Sequence, residues 1–315
     1  MTTEKNSVSP LSSQFVLLMA MACGLCAGSA YFNQPLIYSI EESLGITTSQ
    51  AGLTVVIAQI GYVLGLMLLV LLGDFLNKRK LVVSLMVFAA ISQILLSFST
   101  TLSTLYVFTL CATFGAISAQ VLIPFASTIS PPESSATIVG KLMSGLVMGI
   151  ILSRTFAGFV STYWSWEGVY FSSGIITLLF ATLMWKKLPV TQSQAGLTIG
   201  SIYRSLFVLA KQNPHLIRRA CAGALGFGIL SMVFTSMTFV LGSAPYHFTD
   251  FEIGLFGLLG VIGIYSSSWS GKTVGQGREN LVAKLCIALM LSSTLPLYFA
   301  QQNIVIYAIL IAHKI

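Results

Sequence analysis

Charged side chains are what this sequence has least of: 8% of its 315 residues are Asp, Glu, Lys or Arg. A soluble domain carries about a quarter, because its surface must be held in water. That scarcity excludes an ordinary water-facing globule. Histidine occurs three times, as His215, His247 and His313, and no acid pair or metal-spaced group of His, Cys, Asp or Glu accompanies it. No catalytic residue is therefore assigned, no metal and no cofactor are expected, and the chain is not read as an enzyme. It also lacks a glycine-rich loop ending in Lys at a helix start, which excludes transport driven by ATP within this chain. No basic stripe with interleaved aromatics lies outside the apolar runs, so the net charge of +7 is assigned to a lipid surface, and nucleic acid is excluded as a partner. Cysteine numbers five, at Cys23, Cys26, Cys111, Cys221 and Cys286, each inside an apolar run where it serves as a small packing residue. Cys23-x-x-Cys26 is accordingly not a redox pair, since a reactive thiol needs a solvated, electropositive setting.

What the sequence has in abundance is hydrocarbon, with 55% of its residues hydrophobic. Crossing a bilayer takes about 20 apolar residues at helical rise. Nine such runs occur, at residues 15–40, 51–71, 81–99, 104–125, 139–160, 168–185, 220–242, 253–269 and 281–300, followed by a fragment at 304–315. The expected fold is therefore an all-α, polytopic membrane bundle. The first run is too long and too weakly flanked by basic residues for a cleaved leader, and is read as a permanent helix. The final fragment is too short to cross, so the chain is expected to stop before its last helices are complete.

Between these runs the basic residues segregate. Lys5, Lys78, Arg79, Lys80, Lys141, Lys186, Lys187, Arg204, Lys211, Arg218, Arg219, Lys272, Arg278 and Lys284 all fall on one side, whereas Glu41, Glu42, Glu167, Asp250 and Glu252 fall on the other. Basic loops stay cytoplasmic, which puts the amino terminus inside. The longest polar interruption divides the chain into a first half of six spans at 1–186, a cytoplasmic central loop at 187–219 and an incomplete second half at 220–315. Ile202, Leu206, Leu209 and Ala210 in that loop recur at helical spacing with Arg204 and Lys211 between them, up to Asn213-Pro214. The pattern admits an interfacial helix on the cytoplasmic leaflet or a disordered linker.

The turn after the second run reads Val70-Leu71-Leu72-Gly73-Asp74-Phe75-Leu76-Asn77-Lys78-Arg79-Lys80. It resembles the cytoplasmic signature G-x-L-a-D-r-x-G-r-k of the major facilitator superfamily, matching at Leu72, Asp74, Lys78 and Arg79. In the fifth run Gly140, Gly149, Ser153-Arg154 and Ala157-Gly158 are similar to the antiporter motif G-x8-G-x3-G-P-x2-G-G of its efflux members. Ser153, Arg154 and Ala157 replace Gly, Pro and Gly there. Tyr31-Phe32-Asn33-Gln34-Pro35-Leu36 and Trp164-Ser165-Trp166-Glu167 also resemble bacterial efflux members. The resemblance implies a secondary transporter of the cell inner membrane, exporting a drug or metabolite by alternating access between two six-helix halves, by proton antiport, as a monomer. Asp74, Lys78, Arg79, Gly149 and Gly158 would then form its conformational motifs.

Within the runs, Arg154 is the one arginine, lysine or acid well inside any of them. A charge at mid-membrane costs at least about 2.5 kcal/mol, so a cavity role is the default, against an outward snorkelling or purely structural one. On a helical wheel it shares a face with Gly140 and Gly158, opposite Gly145 and Gly149. The first face is expected to line water and the second to pack against a neighbouring backbone. Ala27, Tyr31, Gln34 and Tyr38 form one partly polar face of the first span, bent by Pro35. Gln59, Tyr62, Gln120 and Tyr265 are further wall candidates, and Gln93 is expected to make a packing hydrogen bond. The expected cavity set is Tyr31, Gln34, Gln59, Gln120, Arg154 and Tyr265, for a small-molecule substrate. No acid within a span is available to carry a proton. A non-transporting remnant of a transporter is the alternative reading.

Overall fold

Glycine and small residues decide how closely these helices approach, and the bundle follows from where they fall. The computed structural model describes residues 11–70, 76–190, 199–244, 246–260, 281, 284, 285 and 288. Along the chain come α1 (Ser13–Ser29), α2 (Ile37–Leu44), α3 (Thr48–Gly65) with a π-helical turn at Leu66–Val70, and α4 (Lys78–Leu96). Next are α5 (Leu102–Ala116), α6 (Ser118–Thr128), α7 (Pro132–Tyr163) and α8 (Trp166–Lys187). Then come α9 (Ile199–Gln212), α10 (Pro214–Gly242), α11 (Asp250–Leu255) and a 3-10 turn at Phe256–Leu259. No strand occurs among the described residues.

Among the described residues, six stretches are long and apolar enough to cross a membrane: Thr48–Leu69, Lys78–Leu96, Leu102–Thr128, Pro132–Tyr163, Trp166–Lys187 and Pro214–Gly242. They coincide with the second to seventh apolar runs. The first run is split into α1 and α2 by a turn over residues 30–36, the bend that Pro35 imposes by withholding an N–H from the ladder. Most of the eighth and ninth runs, and the fragment at 304–315, lie outside the described residues.

Local chemistry sets the helix ends. Thr47 with Gln50, Thr101 with Thr104 and Thr249 with Glu252 form reciprocal caps at the starts of α3, α5 and α11, satisfying amide groups that have no partner in the first turn. Gly45, at φ 61°, terminates α2 in the left-handed conformation that glycine adopts most cheaply. Asn213-Pro214 closes α9 and opens α10, so the central stretch does hold a helix, with Pro at a position where its missing N–H is harmless.

α1 and α7 run parallel and touch backbone to backbone. A Cβ on Gly145 would lie 2.5 Å from the Ala20 carbonyl oxygen, and one on Gly24 would lie 2.6 Å from that of Gly145. The expected packing face of α7 is thus correct. Membrane helices associate this way because lipid tails supply no hydrophobic drive between them. α3 meets α5 through Gly61 and Gly65, α5 meets α4 through Gly115, and α8 meets α4 through Gly174. Met19, Met86, Leu122, Phe125, Leu142 and Met184 fill one part of the interior, and Phe32, Leu36, Ile40, Leu105 and Trp166 another. The outside is just as apolar, with Leu17, Met67, Phe98, Leu179, Leu225 and Met232 more than half exposed. Such a surface suits hydrocarbon and not water.

Gln93 is buried in α4 as a packing residue, but the hydrogen bond expected of it is absent: neither atom of its amide has a partner. The backbone groups around it are committed to helix ladders, and the buried hydroxyls of Ser173 and Thr177 on the neighbouring α8 are also unpartnered.

Candidate functional site

Arg154 projects from α7 to the place where α7, the turn after α1, α10 and α11 converge. It is 5% exposed. Its Nε donates to Gln34 Oε1 at 2.8 Å and its Nη1 to the Ile150 carbonyl at 3.1 Å. Its Cζ stands 4.0 Å from the ring centroid of Phe234 on α10 and 5.1 Å from that of Tyr31, inside the range where a ring quadrupole attracts a cation. Gly257 is held against its aliphatic stem. No carboxylate pairs with it among the described residues. Nη2 has no recorded hydrogen bond, and it is not among the sealed unpartnered atoms, so it remains a donor that a ligand can reach.

Two amides in the turn after α1 are unspent. Gln34 is 1% exposed with Nε2 unpartnered, and both amide atoms of the buried Asn33 lack partners. An unsatisfied buried group costs about 1–3 kcal/mol. Nearby, Gln120 Nε2 on α6 donates to Tyr62 Oη on α3 at 3.1 Å, and Tyr62 is within electrostatic range of Tyr31. Gln59 shares the Tyr62 face of α3, half-buried, with no side-chain partner recorded.

The structure therefore joins Tyr31, Gln34 and Arg154 directly and joins Gln120 to Tyr62, with Gln59 one turn before Tyr62 on α3. Tyr265 and Asp74 lie outside the described residues. Lys78 and Arg79 open α4, with the Arg79 guanidinium 4.5 Å from the Trp185 ring centroid on α8. Phe234 is absent from the expected wall. An isolated phenylalanine in an apolar run carries no sign of facing a cavity, and only its position beside Arg154 reveals it.

One expectation is overturned. The face of α7 carrying Arg154 and Gly158 does not line water along its length; it closes against α11. Gly158 meets the Asp250 backbone, and a Cβ on Gly254 would lie 2.5 Å from the Arg154 carbonyl oxygen. Thr155 Oγ1 donates to the Gly254 carbonyl at 3.0 Å, and Phe251 N donates to Thr162 Oγ1 at 3.2 Å. Small residues at this spacing suit either water or a second backbone, and a helical wheel cannot separate the two. Close by, Tyr38 Oη donates to the Phe239 carbonyl at 3.0 Å, and Gly242 takes the Tyr38 ring.

Asp250, expected in a solvated loop, is 7% exposed within this seam. Ser161 Oγ donates to its Oδ2 at 2.6 Å and Ser39 Oγ donates to the same oxygen. Burial pushes its carboxyl above the usual carboxylate range, while the two hydroxyls pull the other way. The signal for it was Thr249-x-x-Glu252, whose capping box makes Asp250 the first residue of a helix. At the opposite, basic end of α10, Leu225 is exposed and, among the described residues, nothing lies within 4 Å of where a Cβ would sit on Gly223, Gly226 or Gly228.

The sequence profile of the family described as Major Facilitator Superfamily matches residues 18–313. Over 294 residues the chain is 33% identical to the "Uncharacterized transporter YgaY" of Escherichia coli O157:H7, covering 93% of this chain and 75% of that protein. It is 26% identical over 289 residues to the "Probable transporter SCO4007" of Streptomyces coelicolor, covering 90% and 66%. Among solved structures it is similar to a bacterial homolog of the human lysosomal transporter Spinster in an inward-facing conformation, with a TM-score of 0.67, 14% identity, and coverage of 96% of this chain and 72% of that one. The D-xylose-proton symporter gives a TM-score of 0.62 at 15% identity, covering 95% and 78%.

Proposed function

Because this chain belongs to the Major Facilitator Superfamily and is a multi-pass helical membrane transporter rather than an enzyme, we propose that it exports a small organic solute by alternating access. The observation that carries this reading is Arg154: buried, without an acid partner among the described residues, and bonded to Gln34, whose own Nε2 is unspent. A guanidinium presents a planar fork of donors suited to carboxylate or phosphate oxygens. The rings of Tyr31 and Phe234 beside it suit an apolar body. The solute class is thus an organic compound with an anionic or strongly polarised group and a hydrophobic remainder, with Gln59, Gln120 and Tyr265 completing the wall.

Residues 1–186 and 220–315 act as two bodies joined by the loop at 187–219, and the solute binds between them. The basic end faces the cytoplasm, with the amino terminus inside and the chain in the inner membrane, because Lys and Arg loops are retained there. In that orientation the seam between α7 and α11 closes the outer side of the described residues. Gly149 and Gly158 let α7 serve as the pivot, while Asp74, Lys78 and Arg79 hold the cytoplasmic turn. The transporter works as a monomer embedded in lipid, and export is driven by proton entry. Arg154 itself carries no proton through the cycle, since a guanidinium stays protonated.

A whole-cell screen tests this. Cells expressing the chain and control cells are loaded with anionic, cationic and neutral organic compounds, with and without a protonophore. Lower retention of the anionic amphipathic compounds, abolished by the protonophore, is expected; equal retention of every compound in both cell lines would refute export.

A further inference from the structure

The seam contains a carboxyl group that transport of the solute does not use. We propose that Asp250 is a proton-binding latch, whose carboxyl takes up a proton as Ser39 and Ser161 close over it and releases that proton when the seam parts into water. This inference rests on the alternating-access reading above.

The geometry supplies the reason. Asp250 Oδ2 accepts from Ser161 on α7 at 2.6 Å and from Ser39 on α2. These contacts join the first body to α11, and they exist only while the two are together. Both donors are neutral hydroxyls. A buried carboxylate with no cation is poorly compensated, whereas a neutral carboxylic acid can donate as well as accept among hydroxyls.

Among the described residues, the charged and titratable groups on the surrounding elements are engaged elsewhere or exposed. On α2, Tyr38 donates to Phe239, Glu41 accepts from Thr48, and Glu42 is exposed. On α7, Arg154 turns to Gln34, about two turns deeper than Ser161. On α11, Glu252 folds back onto Thr249. Glu167 at the start of α8 accepts from Ser43, and His247 in the loop before α11 is exposed. The stretch of α10 from Phe234 to Gly242 has no titratable side chain.

The sign follows from linkage. With the seam shut the carboxyl titrates above its ordinary range; in water it titrates near about 3.9. The shut form therefore binds more protons, so acid favours it and alkali favours opening. One proton changes the shut-to-open ratio by at most about tenfold per pH unit. That change falls between the ordinary value and the raised one. In the proposed orientation, an acidic exterior thus drives the emptied transporter back to its outwardly shut state.

The test uses the full chain in lipid nanodiscs, with its five native cysteines replaced and spin labels on Ser49→Cys and Ala244→Cys. Distances are read from about pH 4.5 to about pH 9. The short-distance population should grow on acidification. Asp250→Asn, which mimics the neutral acid, should remove that dependence and keep the seam shut. Ser39→Ala with Ser161→Ala, which strips the donors that favour the carboxylate, should move the midpoint toward alkaline pH. If Asp250→Asn fails to fold, this double variant decides alone. An unchanged titration in Asp250→Asn, or an acid-shifted or unmoved midpoint in the double variant, overturns the latch while leaving alternating access standing. A seam that never opens in any variant at any pH overturns both.

Discussion

Replacing Arg154 by Met separates binding from folding, because the terms around this side chain nearly cancel. Keeping a guanidinium at mid-membrane depth costs about 2.5–3.5 kcal/mol. Against this stand a charge-assisted hydrogen bond to Gln34 at 2.8 Å, contributing about 1.5–3 kcal/mol, and the rings of Phe234 and Tyr31, contributing about 0.5–2 kcal/mol each. Met fills the volume of the stem and leaves Gln34 Oε1 bare. The expected change in stability is under about 3 kcal/mol, a shift of several degrees in a thermal melt of detergent-purified protein. A Gln34→Leu change added to Arg154→Met should recover part of that loss, since it removes the orphaned acceptor. Solute binding should not recover. Losing one charge-assisted contact of about 1.5–3 kcal/mol weakens affinity by about tenfold to a hundredfold, and whole-cell efflux of an anionic compound should fall to the vector control. Wild-type efflux by a well-folded Arg154→Met protein would show that the arginine is structural and would sink the proposed site.

Three further outcomes follow from the same geometry. Gly149→Ala drives a Cβ into the Gly24 backbone and should destabilise by about 1–3 kcal/mol, whereas Gly140→Ala, with nothing within 4 Å, should be neutral or slightly stabilising in the same melt; equal behaviour of the two would contradict the α1–α7 crossing. Gly254→Leu should prevent α11 from seating on the Arg154 carbonyl and lengthen the Ser49 to Ala244 label distance at every pH, and an unchanged distance would count against the seam. Impermeant thiol reagents applied to intact cells should label Glu167→Cys and spare Lys78→Cys, and labelling of both would reverse the assigned topology.

Much of the fold was legible because hydrocarbon imposes one-dimensional rules. The apolar runs, the basic residues between them, Pro35 at the break in the first run and Asn213-Pro214 at the start of α10 are all local features with local causes. Arg154 stood out for the same reason, as a charge out of place. Gln34 and Tyr31 were legible through the partly polar face that they share on the first span with Ala27 and Tyr38. Phe234 was not, since an aromatic residue reads alike whether it faces lipid, core or cavity. Gln93 was placed correctly and assigned a bond it does not make, because burial follows from sequence pattern but the partner does not.

The sequence by itself determined the solvent of this chain, the order of its six described crossing stretches, and the charge that had to be sheltered inside them; each depends on composition within a span or on a neighbour a few residues away. Only the tertiary structure decided what each face meets. That the Gly158 face receives α11 instead of water, that Asp250 is drawn from a loop to between Ser39 and Ser161, and that Phe234 closes over Arg154 all depend on residues between 80 and 211 positions apart. A helix presents its small residues to lipid, water or another backbone with equal readiness, and the choice is made only when a second helix arrives.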